Sequence, residues 1–146
     1  MTVAVPTSGD QPAGAHSFEE HTGEVRVRLS APTFAGLLVE AGRALAELLA
    51  DEAPGELQAA ERVDLRDVDR AALLVHWVNE LIFLSETRKR VYSGLEVRSA
   101  GDREVVAEVR GWPASRVRTA VKAATFHGLK VTQGPDGFSA EVVLDV

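Results

Sequence analysis

Strict alternation of apolar and polar side chains marks the first predicted strand. Residues 25–30 read Val-Arg-Val-Arg-Leu-Ser, and a period of two is typical of a strand with one buried face. The residues from Phe18 to His21 either extend this strand or form a short partner for it. The sequence therefore predicts a half-buried strand close to the N-terminus.

A helical period follows this strand. Thr33 is of a residue type that caps helix N-termini, and apolar residues recur at intervals of three and four up to about Ala50. Pro54 and Gly55 then end the helix. Its apolar face consists of Phe34, Leu37, Leu38, Ala41, Leu45, Leu48 and Leu49.

A second helix is predicted after a weaker strand at residues 57–65. Either Asp67 or Asp69 caps this helix, which runs to about Arg88. Its apolar stripe is wide, so we expect it to be the more buried of the two helices. The stripe consists of Leu73, Leu74, Trp77, Val78, Leu81, Ile82 and Leu84.

Alternation returns beyond the second helix, in strands centred on residues 95–97, 105–109 and 142–144. The turn sequences Gly-Asp at 101–102 and Gly-Pro-Asp-Gly at 134–137 precede the second and third of these strands. The pattern of residues 116–124 is compatible with either a strand or a helix. A strand puts their basic residues on one face and their valines on the other, whereas a helix would begin at Ser115 and end at Gly128. The strand is the favoured interpretation.

These elements predict the α+β class. Two main helices and several hairpin-linked strands favour a mostly antiparallel sheet with both helices packed on one face. Residues 1–15 hold proline and glycine among small and polar residues, which predicts a disordered N-terminal tail, with order beginning near Ser17. Residues 16–146 then form a single domain, and 146 residues are enough to bury a sizeable core.

Composition and charge exclude several classes of protein. The chain has no cysteine, which excludes a disulfide framework, a thiolate zinc site and a cysteine nucleophile. Its net charge of −6 disfavours autonomous nucleic-acid binding, because an acidic surface repels phosphates. No apolar run approaches the roughly 20 residues that cross a bilayer, and the N-terminus lacks a signal-peptide pattern. We therefore expect a cytoplasmic protein with no membrane partner.

Candidate chemistry is confined to scattered carboxylates and histidines. The chain has no phosphate-binding glycine loop and no G-x-S-x-G elbow. His21 lies in Glu-Glu-His-Thr-Gly-Glu at 19–24, which offers oxygens to a hard cation, although a solvated strand end is the favoured interpretation. Asp145 lies beside the terminal residue Val146, and their oxygens suit Ca²⁺ or Mg²⁺. A frayed terminus is the alternative there.

The remaining histidines and the basic residues favour structural interpretations. His76 fits a partly buried helix position. Histidine can serve as a general base near pH 7, which makes His127 a candidate, but no serine or cysteine lies beside it. The basic residues 88–90 complement the dipole at the end of the second helix, and contact with RNA or with an acidic partner is the alternative.

Four segments in order resemble the archease family, and together they span Ser17 to Val146. Glu-His-Thr-Gly-Glu-Val-Arg-Val-Arg at 20–28 is similar to the family's E-H-T-A-D-[IV]-x-[IV]-R opening. Trp-Val-Asn-Glu-Leu-Ile-Phe-Leu at 77–84 is similar to its W-L-N-E-L-[IL]-F-L helix. Val-Lys-Ala-Ala-Thr-Phe-His-Gly-Leu at 121–129 resembles V-K-A-[AV]-T-Y-H-x-L, and Val-Val-Leu-Asp-Val at 142–146 resembles the V-x-D-[VIL] ending. Four motifs in the right order are specific, although each one alone is weak.

The resemblance implies a non-enzymatic accessory role. Archeases are small α+β proteins that assist RtcB-type RNA-splicing ligases, which first become guanylylated on a histidine with GTP and a divalent metal. Archease accelerates that step and allows repeated turnover. The resemblance therefore implies an RtcB-type ligase as partner, in tRNA splicing or RNA repair, with RNA contacted only through the ligase. A chaperone-like modulator of RNA-processing proteins without a metal role is the alternative.

The resemblance also implies a metal site, with Ca²⁺ as the family's ion and Mg²⁺ or Mn²⁺ as other candidates. The family's ligands correspond here to Glu24, Asp145 and Val146, and Glu24 is a departure, because the family has Asp at that position. Glutamate keeps the charge and both oxygens but adds one methylene, which a flexible Ca²⁺ shell absorbs more easily than strictly octahedral Mg²⁺. Three further residues are candidates for partner contact: His21, Lys122 and His127. A metal-dependent hydrolase with His127 or His21 as base is the least favoured hypothesis.

Overall fold

The computed structural model describes residues 3–4 and 13–146, except for the side chains of residues 3–4 and 126–128. The strands are β1 (Val3–Ala4), β2 (Ala15–His21), β3 (Glu24–Ala31), β4 (Glu61–Arg66), β5 (Arg90–Ala100), β6 (Glu104–Pro113), β7 (Ala123–Gly134) and β8 (Gly137–Asp145). The two helices are α1 (Phe34–Leu49), between β3 and β4, and α2 (Arg70–Arg88), between β4 and β5.

The strands form two four-stranded sheets, in the orders β1-β5-β6-β4 and β2-β3-β8-β7. Every pairing in them is antiparallel. The predicted α+β class, with antiparallel pairing and two main helices, is confirmed. The sequence suggested a single sheet, and the division into two is a difference that alternation could not reveal, because both sheets show the same period of two.

The two helices contact strands of both sheets. Helix α1 packs against β5 of the first sheet and against β3 of the second, while α2 packs against β7, β5 and β4. The approach of α1 to β5 is close, because a Cβ atom on Gly42 would lie 2.5 Å from Leu95 Cδ1. The buried Trp77 of α2 donates its indole N–H to the carbonyl of Leu38 in α1, at 2.8 Å. The helices and the inner faces of both sheets thus enclose one continuous core.

Both predicted helix starts are confirmed. The Thr33 hydroxyl accepts a hydrogen bond from the Gly36 N–H at 2.9 Å, and the Asp69 carboxylate accepts one from Ala72 at 2.8 Å. Each cap satisfies a backbone donor that has no partner within the helix. The predicted weak strand at 57–65 is confirmed only from Glu61, where β4 begins, and residues 57–60 are not part of a strand. The residues from Phe18 to His21 lie in β2, which is a partner of β3 and not its extension.

The favoured strand at 116–124 is wrong for residues 116–122. These residues form an irregular loop with one isolated bridge, between Ala50 and Val117, and β7 begins only at Ala123. The backbone of this loop bonds to the C-terminal end of α1 and does not pair with a strand. The Arg118 N–H donates a hydrogen bond to the carbonyl of Leu49 at 3.0 Å. The Arg118 guanidinium also donates to the carbonyl of Glu47. The helical alternative is not found either.

The N-terminal segment was predicted as a disordered tail over residues 1–15. Val3 and Ala4 pair with Ala100 and Ser99 of β5, and β2 begins at Ala15, before the expected start near Ser17. The other residues up to 12 lie outside the described part of the chain. Within residues 3–4 and 13–146, no helix combines the length and apolarity needed to span a membrane.

Candidate functional site

The two sequence-predicted carboxylates lie directly opposite each other at one end of the second sheet. Gly23, with a positive φ of 78°, turns the chain from β2 into β3, so that Glu24 is the first residue of β3. Glu24 pairs with Asp145, the last residue of β8. The Val146 N–H donates to the carbonyl of Gly23 at 3.1 Å. This bond makes Glu24 and Asp145 a non-hydrogen-bonded pair, the type in which opposite side chains approach most closely.

The carboxylates lie on the outer face of this sheet, away from the helices. Val25 and Leu144, the next residues along β3 and β8, are buried, and successive side chains of a strand point to opposite faces. Glu24 is half-buried and Asp145 is exposed. The same pairing that buries the valines and leucines of both strands therefore turns both acids toward solvent.

An ionic network covers the outer face next to the two acids. Arg26 Nε lies 3.5 Å from Glu24 Oε2, and Arg26 Nη1 lies 3.4 Å from Glu141 Oε1. Arg28 contacts both Glu141, at 3.3 Å, and Glu19, at 3.1 Å. The arginines thus neutralise most of the acids on this face. Asp145 has no ion pair among the described residues.

Other predicted site residues surround this pair without joining it. His21 lies opposite Glu24 on β2, but its imidazole Nε2 contacts Glu19 Oε1 at 3.0 Å. The exposed Lys122 donates its backbone N–H to the carbonyl of Asp145 at 2.8 Å. Val146 packs its side chain against the core. The side chain of His127 lies outside the described residues.

The donors gathered here suit a hard cation. They are the carboxylates of Glu24 and Asp145 and the backbone carbonyl of Val146, and oxygen is the ligand type that Ca²⁺ and Mg²⁺ prefer. Within the described part of the chain, no three His, Cys, Asp or Glu side chains come together as a metal cluster. An ion at this site would therefore depend on main-chain oxygens and water for the rest of its shell, and Arg26 competes with it for Glu24.

Asn79 connects two of the four sequence motifs, and sequence reasoning missed this role. Its side-chain carbonyl accepts from the Ala124 N–H at 2.7 Å, and its amide donates to the Ala124 carbonyl at 3.2 Å. The reciprocal pair attaches α2 to the start of β7, where Ala123 lies opposite Asp145. A polar residue within the apolar stripe of a helix was the available signal.

A second unpredicted cluster lies where β2 meets α1. The His16 imidazole lies between two carboxylates, with Nδ1 2.5 Å from Glu40 Oε2 and Nε2 2.5 Å from Glu47 Oε2. Glu40 is 4% exposed, and Arg43 Nη1 lies 3.5 Å from its other oxygen. Burial alone lowers the pKa of His16, but the hydrogen bonds and charges of the two glutamates outweigh it, so that this pKa is raised above its ordinary value.

The other histidine and the basic run have structural contacts. His76 Nδ1 lies 3.1 Å from an Asp67 carboxylate oxygen. In the run at 88–90, Arg88 and Arg90 both contact Glu61, at 2.6 and 3.3 Å, and Lys89 is the C-cap of α2 with a left-handed φ of 55°. The two arginines are therefore occupied within the protein, whereas the Lys89 ammonium has no partner among the described residues.

Comparisons with known proteins agree with this architecture. The chain is 33% identical over 134 residues to the archease of Methanopyrus kandleri, covering 87% of this chain and 96% of the relative. It is 30% identical over 139 residues to the archease of Pyrobaculum islandicum, covering 90% and 95%.

Two solved structures share the fold. The solution structure of a Methanobacterium thermoautotrophicum protein matches with a TM-score of 0.71 at 22% identity, covering 90% of this chain and 98% of that one. The crystal structure of a Thermotoga maritima archease, described as a possible chaperone, matches with a TM-score of 0.62 at 21% identity, covering 88% and 94%. The model of the Archease protein family matches residues 16–146, and the chain therefore belongs to the archease family.

Proposed function

We propose that this protein is a non-catalytic accessory factor that activates an RtcB-type RNA-splicing ligase by promoting its metal- and GTP-dependent guanylylation. The observation that supports the proposal is the placement of Glu24 directly opposite Asp145, with Val146 beside them, in a member of the archease family. These are the three residues that the family resemblance assigns to metal binding.

The electrostatics of the pair favour a bound cation. Like charges directly opposite each other on a sheet destabilise it, and a non-hydrogen-bonded pair brings them closest. Of the two acids in the pair, Glu24 has Arg26 Nε at 3.5 Å, whereas Asp145 has no ion pair among the described residues. A divalent cation held by Glu24, Asp145 and the Val146 backbone relieves the remaining repulsion at Asp145.

The position of the pair suits a role on another protein's nucleotide. Glu24 begins β3 and Asp145 ends β8, so both acids lie at the same end of the sheet, on an outer face that neither helix covers. A bound divalent ion supplies positive charge, which stabilises the negative charge that develops on a triphosphate during nucleotidyl transfer. The acidic chain, at −6, repels RNA, so the ligase holds the RNA and this protein acts at the GTP pocket.

Metal binding is tested by calorimetric titration with Ca²⁺, Mg²⁺ and Mn²⁺. Asp145→Asn removes one charged ligand without changing its size, and we expect affinity to fall at least about ten-fold, because affinity follows the number of charged ligands. The matched control is Asp136→Asn, which removes the carboxylate of an exposed residue on the turn between β7 and β8, at the opposite end of β8 from Asp145, and it should bind as wild type. Absence of saturable binding, or equal binding by Asp145→Asn, contradicts the assigned site.

Ligase activation is tested by the rate at which the cognate RtcB-type ligase becomes guanylylated with GTP and metal. Addition of this protein should accelerate the step, Asp145→Asn should lose the acceleration, and Asp136→Asn should keep it. An unchanged rate with the wild-type protein would overturn the accessory role.

The chaperone alternative predicts instead that the protein suppresses aggregation of a client protein. That suppression would be unaffected by a chelator, by Glu24→Ala or by Asp145→Ala.

A further inference from the structure

A groove lies between the C-terminal half of α2 and the irregular loop at 114–122. Its volume is about 420 Å³. Apolar side chains from four parts of the chain line it, among them Leu49, Ile82, Val91 and Val121. Val117, which also lines it, is 53% exposed. None of the residues assigned to metal binding lines this groove, so its role is separate from that of the carboxylate pair.

The groove carries cations that the protein does not neutralise. Two of the chain's three lysines, Lys89 and Lys122, line it. Neither ammonium has a hydrogen bond or ion pair within the described part of the chain, whereas most arginines contact carboxylates. Glu86 is the acidic lining residue, and the two lysines outnumber it. Although the chain has a net charge of −6, this groove is a local site that attracts negatively charged groups.

A hydroxyl without a partner also lines the groove. Ser85 Oγ, on α2 one turn before Lys89, is inaccessible to solvent and has no hydrogen-bond partner among the described residues. Buried hydroxyls in folded proteins almost always have a partner. Because this oxygen is closed to solvent, a ligand in the groove reaches it only if the Ser85 side chain rotates toward the groove.

We propose that this groove docks a short acidic peptide segment of a partner protein, with an apolar side chain on the groove floor and a carboxylate between Lys89 and Lys122. The apolar lining with a cationic rim complements a segment that carries both chemistries. Single-stranded nucleic acid is less suited to the groove, because its binding sites offer aromatic side chains on which bases stack, and no aromatic residue is among the lining residues of the described chain.

The test begins with a phage-displayed library of random 12-residue peptides selected against the full chain. Peptides with acidic and apolar residues together should be enriched. The most enriched one is synthesised with a fluorophore, and its dissociation constant is measured by anisotropy. Affinity should fall about five-fold with each of Lys89→Asn and Lys122→Gln, as for an exposed ion pair, and it should weaken as salt rises. Asn is chosen at position 89 because it tolerates the left-handed backbone there.

Arg103→Gln is the matched control, since Arg103 is an exposed cation on the β5–β6 turn outside the groove, and it should bind as wild type. Circular dichroism of each variant separates loss of binding from loss of folding. Four outcomes would overturn the proposal: no enrichment, enrichment of basic peptides, equal affinity in the lysine variants, or displacement of the peptide by oligouridylate. Concentration-dependent dimerisation that Lys89→Asn abolishes would assign the groove to a second copy of the chain instead. A negative result here leaves the metal titration and the ligase assay unaffected.

Discussion

The His16 imidazole is held in a way that requires a particular protonation state. Both ring nitrogens lie 2.5 Å from a carboxylate oxygen, and only the doubly protonated ring donates two hydrogen bonds. Glu40 and Glu47 therefore hold an imidazolium, and Glu40, being buried, depends on it and on Arg43 for its charge balance. The protonated His16 ring thus connects the edge strand β2 to helix α1 through its hydrogen bonds to the two glutamates.

This arrangement predicts a pH-dependent stability. The folded-state pKa of His16 is raised above its ordinary value of 6.5, so its contribution is complete below about pH 6.5 and is lost as pH rises through the raised pKa. The free energy of unfolding, measured by urea denaturation from pH 6 to pH 9, should fall over that range. His16→Gln should remove this part of the fall and cost about 1–3 kcal/mol at pH 6, because Glu40 loses a partner.

His76→Gln is the control, because His76 makes one ion contact among the described residues, on a more exposed surface, and its loss of stability at pH 6 should be smaller than that of His16→Gln. A profile for His16→Gln parallel to that of the wild type would show that the imidazolium does not stabilise the fold. The sequence identified His16 only as one of four histidines, because its partners lie 24 and 31 residues away. Contacts of that separation depend on how strand and helix pack.

The first residues of the two helices were predictable from the sequence, because side chains close along the chain cap them. Thr33 and Asp69 cap their helices with side chains that reach only three residues along the chain. The loop at 116–122 was not predictable in this way, because its backbone bonds to the end of α1, a distant partner. Val117 and Val121 alternate with polar residues as in a strand, yet Val117 is exposed and only Val121 is buried.

The attachment of α2 to β7 by Asn79 should contribute to the free energy of unfolding. Asn79→Ala leaves the N–H and carbonyl of the buried Ala124 without their side-chain partners, so we expect a loss of about 1–3 kcal/mol in the free energy of unfolding. Urea denaturation measures it. Glu80→Ala changes the next residue on the same helix, whose carboxylate has no partner within the described chain, and should stay within about 0.5 kcal/mol. Equal stability of the two variants would mean that the Asn79 hydrogen bonds contribute nothing net.

Arg70 joins the two sheets of the molecule. Its guanidinium lies 2.7 Å from Asp102, on the β5–β6 turn of one sheet, and 5.0 Å from the ring centroid of Phe138, on β8 of the other. It also lies 5.8 Å from the ring centroid of Phe34. A single side chain on α2 therefore links both sheets through charge and aromatic contacts.

Replacing this arginine tests the link. Arg70→Met keeps the apolar stem and removes the charge, and we expect a loss of about 1–2 kcal/mol, the sum of one exposed ion pair and two cation–π contacts. The measurement is the urea midpoint. Arg66→Met removes a more exposed arginine whose one ion pair within the described residues is with Glu104, at 3.4 Å, and it should change stability by less than about 0.5 kcal/mol. If both variants lose the same amount, Arg70 has no special role between the sheets.

The sequence by itself determined the features that neighbouring residues decide. The period of two in β3, the helix caps, the absence of thiol chemistry and the four family motifs could all be read without coordinates, because each depends on residues close along the chain. They were enough to identify the class, the family and the candidate carboxylates.

Only the tertiary structure decided how distant segments meet. The division into two sheets, the direct pairing of Glu24 with Asp145, the carboxylates around His16 and the groove beside Lys89 and Lys122 each join segments far apart in sequence. Such contacts follow from strand register and from helix packing against both sheets. A period of two specifies which face of a strand is buried, but it does not specify which strand lies beside it.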